Sequence, residues 1–306
     1  MVKYCIKRLL IGIVTLFALV TITFFLVHAI PSSPFAGQMD NLSVDIQGKL
    51  SEHYALDKSL PIQYVTFLGN AVQGDFGISM YRRGRTVSEV IQSGFPNTIK
   101  LGVVAFLLSL GIGIPIGAAA AFSRRRWVNK AAVLIATIGV GVPSFLLAML
   151  MMVLFGVILH WLPIVGLTSW LHYIMPSVAL ALAPIAMISR LTKTSLSEVL
   201  KQDYMVLAKS KGTRQLKRIV HHALKNALPP VVTYAGPLLA TLLTGSFIIE
   251  TLFSIQGIGA EFVASVINRD YTVIIALTVL YGAFYVLCNT VADVIIVFLD
   301  PRIKLK

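Results

Sequence analysis

The chain has 306 residues, of which 57% are hydrophobic and only 13% are charged. Soluble domains carry about 25% charged residues, so this composition excludes an ordinary water-soluble protein, and the mean hydropathy of +0.82 agrees. The net charge of +13 would indicate a nucleic-acid partner on a soluble chain. Here the basic residues lie between long apolar runs, which favours a membrane protein and no nucleic acid.

Six segments are long and apolar enough to cross a bilayer as helices, because a span needs about 20 apolar residues and lipid leaves the backbone to satisfy its own hydrogen bonds. The predicted spans are 9–30, 98–122, 131–159, 173–192, 230–250 and 272–299. The first follows a basic N-terminus, as a signal peptide would, but its apolar run is too long for one, so we predict a retained helix. The predicted fold class is an all-α membrane protein with six transmembrane helices. The pair Gly113 and Gly117 is predicted to let two of them approach closely.

Lys and Arg are distributed unevenly between the connections. Nineteen of the 26 lie at the two ends of the chain, after the second span, and between the fourth and fifth spans. The positive-inside rule therefore predicts that both termini are cytoplasmic. It places three connections outside, namely a long polar loop over 31–97, a short one around 160–163, and a third over 251–271.

The cytoplasmic segment 193–229 is too long for a simple helix connection. We predict a helix, a turn and a second helix. Ser195 and Glu198 have the spacing of a capping box, and Gly212 can supply a left-handed turn. The second helix is predicted over 217–227, stopped by the prolines that follow.

Sequence motifs for catalysis are absent. There is no nucleotide-binding loop, zinc-protease motif or nucleophile elbow, so we predict no catalytic residue, no metal site and no cofactor. The two cysteines, Cys5 and Cys288, predict neither a disulfide nor a metal site. Asp293 is the clearest ionisable residue at membrane depth, and we expect it to serve as a structural hydrogen-bonding group.

Two other classes of protein stay open at this point. A self-sufficient secondary transporter or channel would need coupling carboxylates or a site built from repeats. An intramembrane enzyme would need a catalytic set. Neither feature is visible in the sequence, which suggests that any driving energy comes from another protein.

Residues 198–212 carry the pattern Asp203-Tyr204 followed by Ala208-x-x-x-Gly212. This stretch resembles the conserved cytoplasmic EAA loop of ABC importer permeases, in the form found in the peptide and nickel branch. The glutamate and the first alanine of the general EAA pattern are missing. Residues 222–229 resemble the ending HALxNALxP of the same branch.

Further motifs extend the resemblance over essentially the whole chain. They are residues 74–79 (GDFGIS), 95–98 (FPNT), 143–145 (PSF), 250–259 (ETLFSIQGIG), 268–271 (NRDY) and 300–302 (DPR). Gln256 replaces the usual proline. Residues 31–35 and 160–163 are most similar to B-type membrane permease subunits of oligopeptide ABC importers, within the binding-protein-dependent transport permeases.

The resemblance implies a type I ABC importer permease fold, one permease domain over 1–306, and a location in the bacterial plasma membrane. It implies several partners: a homologous C-type permease subunit, two ATPase subunits, an extracytoplasmic peptide-binding protein, a peptide substrate and membrane lipid. Dipeptide and nickel permeases share nearly all of the motifs, so these cargoes stay open beside oligopeptides. The loop 193–229 is expected to dock the ATPase through Glu198, Asp203, Tyr204, Ala208, Lys209, Lys211, Gly212 and Arg214.

Overall fold

A computed structural model of the chain describes residues 2–29, 58–82, 84–123, 139, 141–213, 218 and 223–299. The first half contains α1 (Val2–His28), α2 (Leu60–Val72), α3 (Val87–Phe122) and α4 (Ser144–Met151), which continues as a π-helix over Met152–Ile158. A 3-10 turn (Trp170–Tyr173) leads into α5 (Ile174–Val199), and α6 (Asp203–Ser210) and the single turn α7 (Lys225–Ala227) follow. The last helices are α8 (Pro229–Leu243), α9 (Phe247–Leu252), α10 (Ile258–Ile267) and α11 (Tyr271–Leu299).

Four helices are long and apolar enough to cross a membrane: Ile6–His28, Val87–Phe122, Trp170–Val199 and Tyr271–Leu299. They confirm the predicted first, second, fourth and sixth spans. The described part of the third span is the shorter apolar helix Ser144–Ile158, while residues 131–138 and 140 lie outside the described residues.

The fifth predicted span differs from the prediction of one helix over 230–250. α8 ends at Leu243, and the chain turns at Gly245 before α9 begins at Phe247. Gly245 has a left-handed backbone (φ +83°), and a Cβ there would collide with the carboxylate of Glu250. The uninterrupted helix was therefore the wrong prediction, because α9 folds back to bury Glu250.

The second span also begins earlier than predicted. Thr86 and Glu89 form a capping box, in which the Thr86 hydroxyl accepts from the Glu89 amide (3.2 Å) and the Glu89 carboxylate accepts from the Thr86 amide (3.1 Å). Residues 87–97 therefore belong to α3 and not to the external loop. At about 1.5 Å per residue, a helix of this length extends beyond a hydrocarbon core of about 30 Å.

The most extensive helix pairing among the described residues joins α3 to α5. Gly113 and Gly117 are buried at this contact, and a Cβ at Gly113 would lie 2.8 Å from the Ile188 side chain. A Cβ at Gly117 would collide with the carbonyl oxygen of Ser189. The predicted close approach of two helices is confirmed, and it holds the second and fourth spans together.

The connection 251–271 packs against the N-terminal ends of α3 and α11. Ile258 at the start of α10 is fully buried with Val87 and Val90 of α3 and Leu277 of α11. In the predicted external loop, residues 60–72 form α2, and residues 31–57 lie outside the described residues. The structure thus covers one end of the bundle with α2, α9 and α10, and leaves α6 at the other end.

Candidate functional site

The predicted docking loop differs in one respect from the expected pattern. Ser195 is an interior residue of α5 and does not cap a helix, so the predicted capping box with Glu198 is wrong. α5 continues to Val199 because Leu196 is fully buried against the ends of neighbouring helices. The break comes at residues 200–202, immediately before α6.

One side of α6 is anchored in a small apolar core. Met205 is 3% exposed and packs with Leu196, Ala223 and Ala227. Partly buried residues at the end of α3, among them Phe122, pack against the same cluster. This cluster therefore joins α6 to α3, α5 and α7.

The opposite side of α6 is apolar and exposed. Tyr204, Val206 and Leu207 are 41%, 57% and 56% exposed, respectively. Contiguous exposed apolar patches mark surfaces that contact another protein or a membrane. Asp203 in the first turn and Lys211 after the last turn are also exposed, so charges flank the apolar face at both ends.

A hydrogen bond fastens α6 to the single turn α7. The Asn226 side-chain amide donates to the Tyr204 hydroxyl over 3.0 Å. Beside this bond lies a groove of about 680 Å³ between α5, α6 and α8, and Glu198, Gln202 and Lys225 are among the residues that line it. The bond joins the tyrosine of one motif to the asparagine of the other.

Gly212 ends α6 with a left-handed turn, as predicted. Its φ is +71°, and the amide of Thr213 donates to the carbonyl of Ala208 over 3.2 Å. This bond, with glycine in the left-handed position before it, forms the Schellman motif that ends many helices. The spacing Ala208-x-x-x-Gly212 is therefore the spacing of a helix C-terminus. A Cβ at Gly212 would meet nothing within 4 Å, so the surface there is open.

The structure brings Glu198, Asp203, Tyr204, Ala208, Lys211 and Gly212 together around α6. The backbone of Lys209 also lies within α6. Arg214, residue 217 and residues 219–222 lie outside the described residues, so the predicted second helix over 217–227 is described only in part. Its described residues 223–227 are helical and end in the turn α7, which is followed by Pro229 at the start of α8.

Glu250 is a buried carboxylate that the sequence analysis missed. It is fully buried, and its two oxygens accept from the Thr98 hydroxyl (2.9 Å) and the Ala260 amide (2.7 Å). The Thr98 hydroxyl in turn accepts from the Ile258 amide over 2.9 Å. Glu250 therefore caps the start of α10 and fastens it to α3. In the sequence, the feature that could have indicated this role is the glutamate at the start of the motif 250–259, shortly before the glycines of a turn.

Asp270 forms a second buried anchor at the same end. It accepts from the Ser79 hydroxyl, the Met80 amide (3.0 Å), the Tyr81 amide (3.2 Å) and the Thr272 hydroxyl (3.0 Å). These bonds fasten the loop before α3 to the start of α11. The motifs 74–79 and 268–271, far apart in sequence, are thus two halves of one contact.

Asp293 pairs with Arg8 at 3.0 Å. The pair joins α1 to α11 near the end of the bundle that carries α6. The sequence analysis expected a structural role for Asp293 but named no partner, because a contact between residues 285 positions apart is not visible in sequence.

Two protein-family models of transport membrane components match the chain, and together they cover most of its length. The family model "Binding-protein-dependent transport system inner membrane component" matches residues 113–305, and the model of the N-terminal part of such membrane components matches residues 1–102. The chain is 40% identical to the dipeptide transport system permease protein DppB of Bacillus subtilis, covering 100% of this chain and 99% of that protein. It is 38% identical to the oligopeptide transport system permease protein OppB of Escherichia coli K12, covering 99% and 100%, respectively.

Among solved structures, the fold is similar to a chain of the MetNI methionine ABC transporter in an inward-facing conformation. The TM-score is 0.58 at 20% sequence identity, and the match covers 69% of this chain and 97% of that chain. This likeness shows the type I ABC importer permease fold. On the strength of both family models and of full-length relatives, the chain belongs to the family of inner membrane components of binding-protein-dependent transport systems.

Proposed function

We propose that this chain is a permease subunit of an ATP-driven importer that carries peptides across the bacterial plasma membrane. The relatives named for dipeptide and oligopeptide transport, with full-length coverage, support peptide cargo. Oligopeptides are our preferred cargo, because the motifs at 31–35 and 160–163 are most similar to that subgroup. Dipeptides and nickel are the alternatives.

The whole chain 1–306 acts as one permease domain without enzyme activity of its own. It pairs with a homologous C-type permease, and the translocation path runs between the two. Two ATPase subunits bind on the cytoplasmic side and hydrolyse ATP, while an extracytoplasmic binding protein delivers the peptide to the outer side. Basic residues around the docking loop also meet anionic lipid.

The observation that carries this proposal is the construction of α6. One face is anchored on the ends of α3, α5 and α7, and the other presents Tyr204, Val206 and Leu207 to a partner. The ATPase contact comprises Glu198, Asp203, Tyr204, Ala208, Lys209, Lys211, Gly212 and Arg214. An ATPase that moves α6 would rock the attached spans together, which is how alternating access is commonly produced.

Reconstitution tests the proposal. The chain, its C-type partner and the two ATPases are placed in liposomes with the binding protein outside and ATP inside. We expect accumulation of labelled oligopeptide that needs ATP and the binding protein, and that survives a protonophore. The chain reconstituted alone should hydrolyse no ATP. Accumulation of radioactive nickel in place of peptide would favour the nickel alternative, and uptake without ATPases would contradict the proposal.

A further inference from the structure

A polar cavity of about 720 Å³ opens between the loop that precedes α3 and the connection from α9 to α10. Its volume falls in the range of about 300–1,000 Å³ that is usual for small-ligand sites. The polar residues that line it include Arg82, Arg85, Ser93, Ser254, Gln256 and Glu261. It lies at the end of the bundle that the charge distribution predicts to face outside, where cargo would arrive.

The two acids of this cavity already have partners. Glu261 forms an ion pair with Arg82, so this acid and this arginine neutralise each other. Glu250 lies beneath the surface, where its oxygens accept from Thr98 and from the Ala260 amide. Both carboxylates are thus already engaged by donors of the protein itself.

Two neighbouring acids are likewise occupied. Asp270 accepts from backbone amides and hydroxyls of the loop around Ser79 and from Thr272. Glu89 accepts from the Thr86 amide in the capping box of α3. Both acids accept hydrogen bonds from neutral groups of the protein, and neither lines the cavity.

Of the two arginines that the structure describes in the lining of the cavity, Arg85 is the one without an ion pair. It is exposed, and among the described residues its side chain makes no salt bridge, although Glu261 attracts it at longer range. Its backbone is held in the loop, since its amide donates to the Arg82 carbonyl and its carbonyl accepts from the Ser79 amide. The loop is in turn fastened to Asp270. The backbone that carries the Arg85 guanidinium is therefore held in place. The planar set of N–H donors on the guanidinium matches the two oxygens of a carboxylate.

We infer that this cavity is a binding site for the C-terminal carboxylate of an arriving peptide, with Arg85 as the residue that binds it. The inference rests on the proposed function and adds a recognition element to it. A carboxylate is the one charged group that every unmodified linear peptide of any sequence carries at its C-terminal end. A site that binds this group selects for a free C-terminus without selecting for side chains.

The test compares peptides that differ only at the C-terminus. The complete reconstituted importer is given a labelled peptide as the free acid and as the C-terminal amide, with the binding protein saturating. The variants are Arg85→Gln and, as matched control, Lys58→Gln, which removes one exposed positive charge at the same end but outside the cavity. Comparing the acid-to-amide ratio between variants cancels any preference of the binding protein itself.

We expect Arg85→Gln to lower free-acid uptake by about tenfold, as loss of a charge-assisted hydrogen bond predicts, with amide uptake unchanged. Lys58→Gln should keep the wild-type ratio, and Arg85→Lys should retain part of it. Equal loss of acid and amide uptake in Arg85→Gln would assign the arginine to contact with the binding protein and overturn the inference. An unchanged ratio would overturn it too. A wild-type importer that accumulates neither peptide would refute the proposed function, and the inference with it.

Discussion

Gly212 shows how one residue serves both the shape and the contact surface of the docking loop. Its left-handed backbone ends α6, and no atom lies within 4 Å of the position that a Cβ would occupy. A residue with a side chain is strained in this conformation by about 1–2 kcal/mol. A Cβ at this position meets no described atom, so we expect a large side chain here to act chiefly on a docked partner.

Gly212→Trp is therefore expected to reach the membrane at near-normal levels, but to abolish peptide uptake and to weaken ATPase association. The measurement is uptake in cells together with co-purification of the ATPase subunits. Gly74→Trp is the matched control, because Gly74 is also left-handed (φ +78°) and also open, but lies at the opposite end of the bundle. Normal uptake by Gly212→Trp with its ATPases bound would show that the docking role is wrong.

Thr98 is the second residue whose role is specific enough to test. Its hydroxyl donates to Glu250 and accepts from the Ile258 amide, and it is 1% exposed. Thr98→Val leaves a buried carboxylate without one donor and a buried amide without its acceptor. Each unsatisfied group costs about 1–3 kcal/mol.

The expected result is a thermal unfolding midpoint several degrees below that of the wild type, measured by intrinsic fluorescence in detergent. Thr241→Val is the control, because the exposed Thr241 hydroxyl bonds only to the Pro237 carbonyl of its own helix. Equal midpoints for Thr98→Val and the wild type would mean that the Glu250 anchor contributes nothing to stability.

At the scale of elements, the contact between α3 and α5 leaves no room for a side chain at Gly113 or Gly117. Gly117→Leu would force a side chain into the Ser189 backbone, and overpacking of this kind typically costs about 1–3 kcal/mol or more. Gly111→Leu changes the same helix identically at a position with nothing within 4 Å. We expect Gly117→Leu to lower the yield of monodisperse protein on size-exclusion chromatography, while Gly111→Leu remains near wild type. The reverse order would contradict the observed register of the two helices.

At the scale of the whole molecule, orientation in the membrane stays a prediction. In a background with Cys5→Ala and Cys288→Ala, single cysteines at Lys58 and at Ser210 would lie on opposite sides of the bilayer. Both positions are exposed. The Lys58→Cys protein should react with a membrane-impermeant maleimide added to intact cells, and the Ser210→Cys protein only after lysis. The opposite labelling pattern would invert the assigned topology and place α6 where no ATPase can reach it.

Local chemistry was sufficient to predict the first, second, fourth and sixth spans and the end of α6. A run of about 20 apolar residues has one stable arrangement in lipid, so hydropathy alone locates such helices. The turn at Gly212 was likewise predictable, because glycine after a helix favours the left-handed conformation. The failed capping box at Ser195 shows the limit of local reasoning: the burial of Leu196 kept α5 helical through a position where the local sequence offered a start.

The sequence by itself therefore determined the class of protein, its long helices and, through its motifs, its family. Only the tertiary structure decided that Glu250 and Asp270 are buried anchors, that Tyr204 bonds to Asn226, and that Asp293 pairs with Arg8. The physical reason is that hydropathy and turn preferences act over a few neighbouring residues. Burial and pairing depend on which distant segments fold back against each other, and α9 and α10 do so at one end of this bundle as α6 and α7 do at the other.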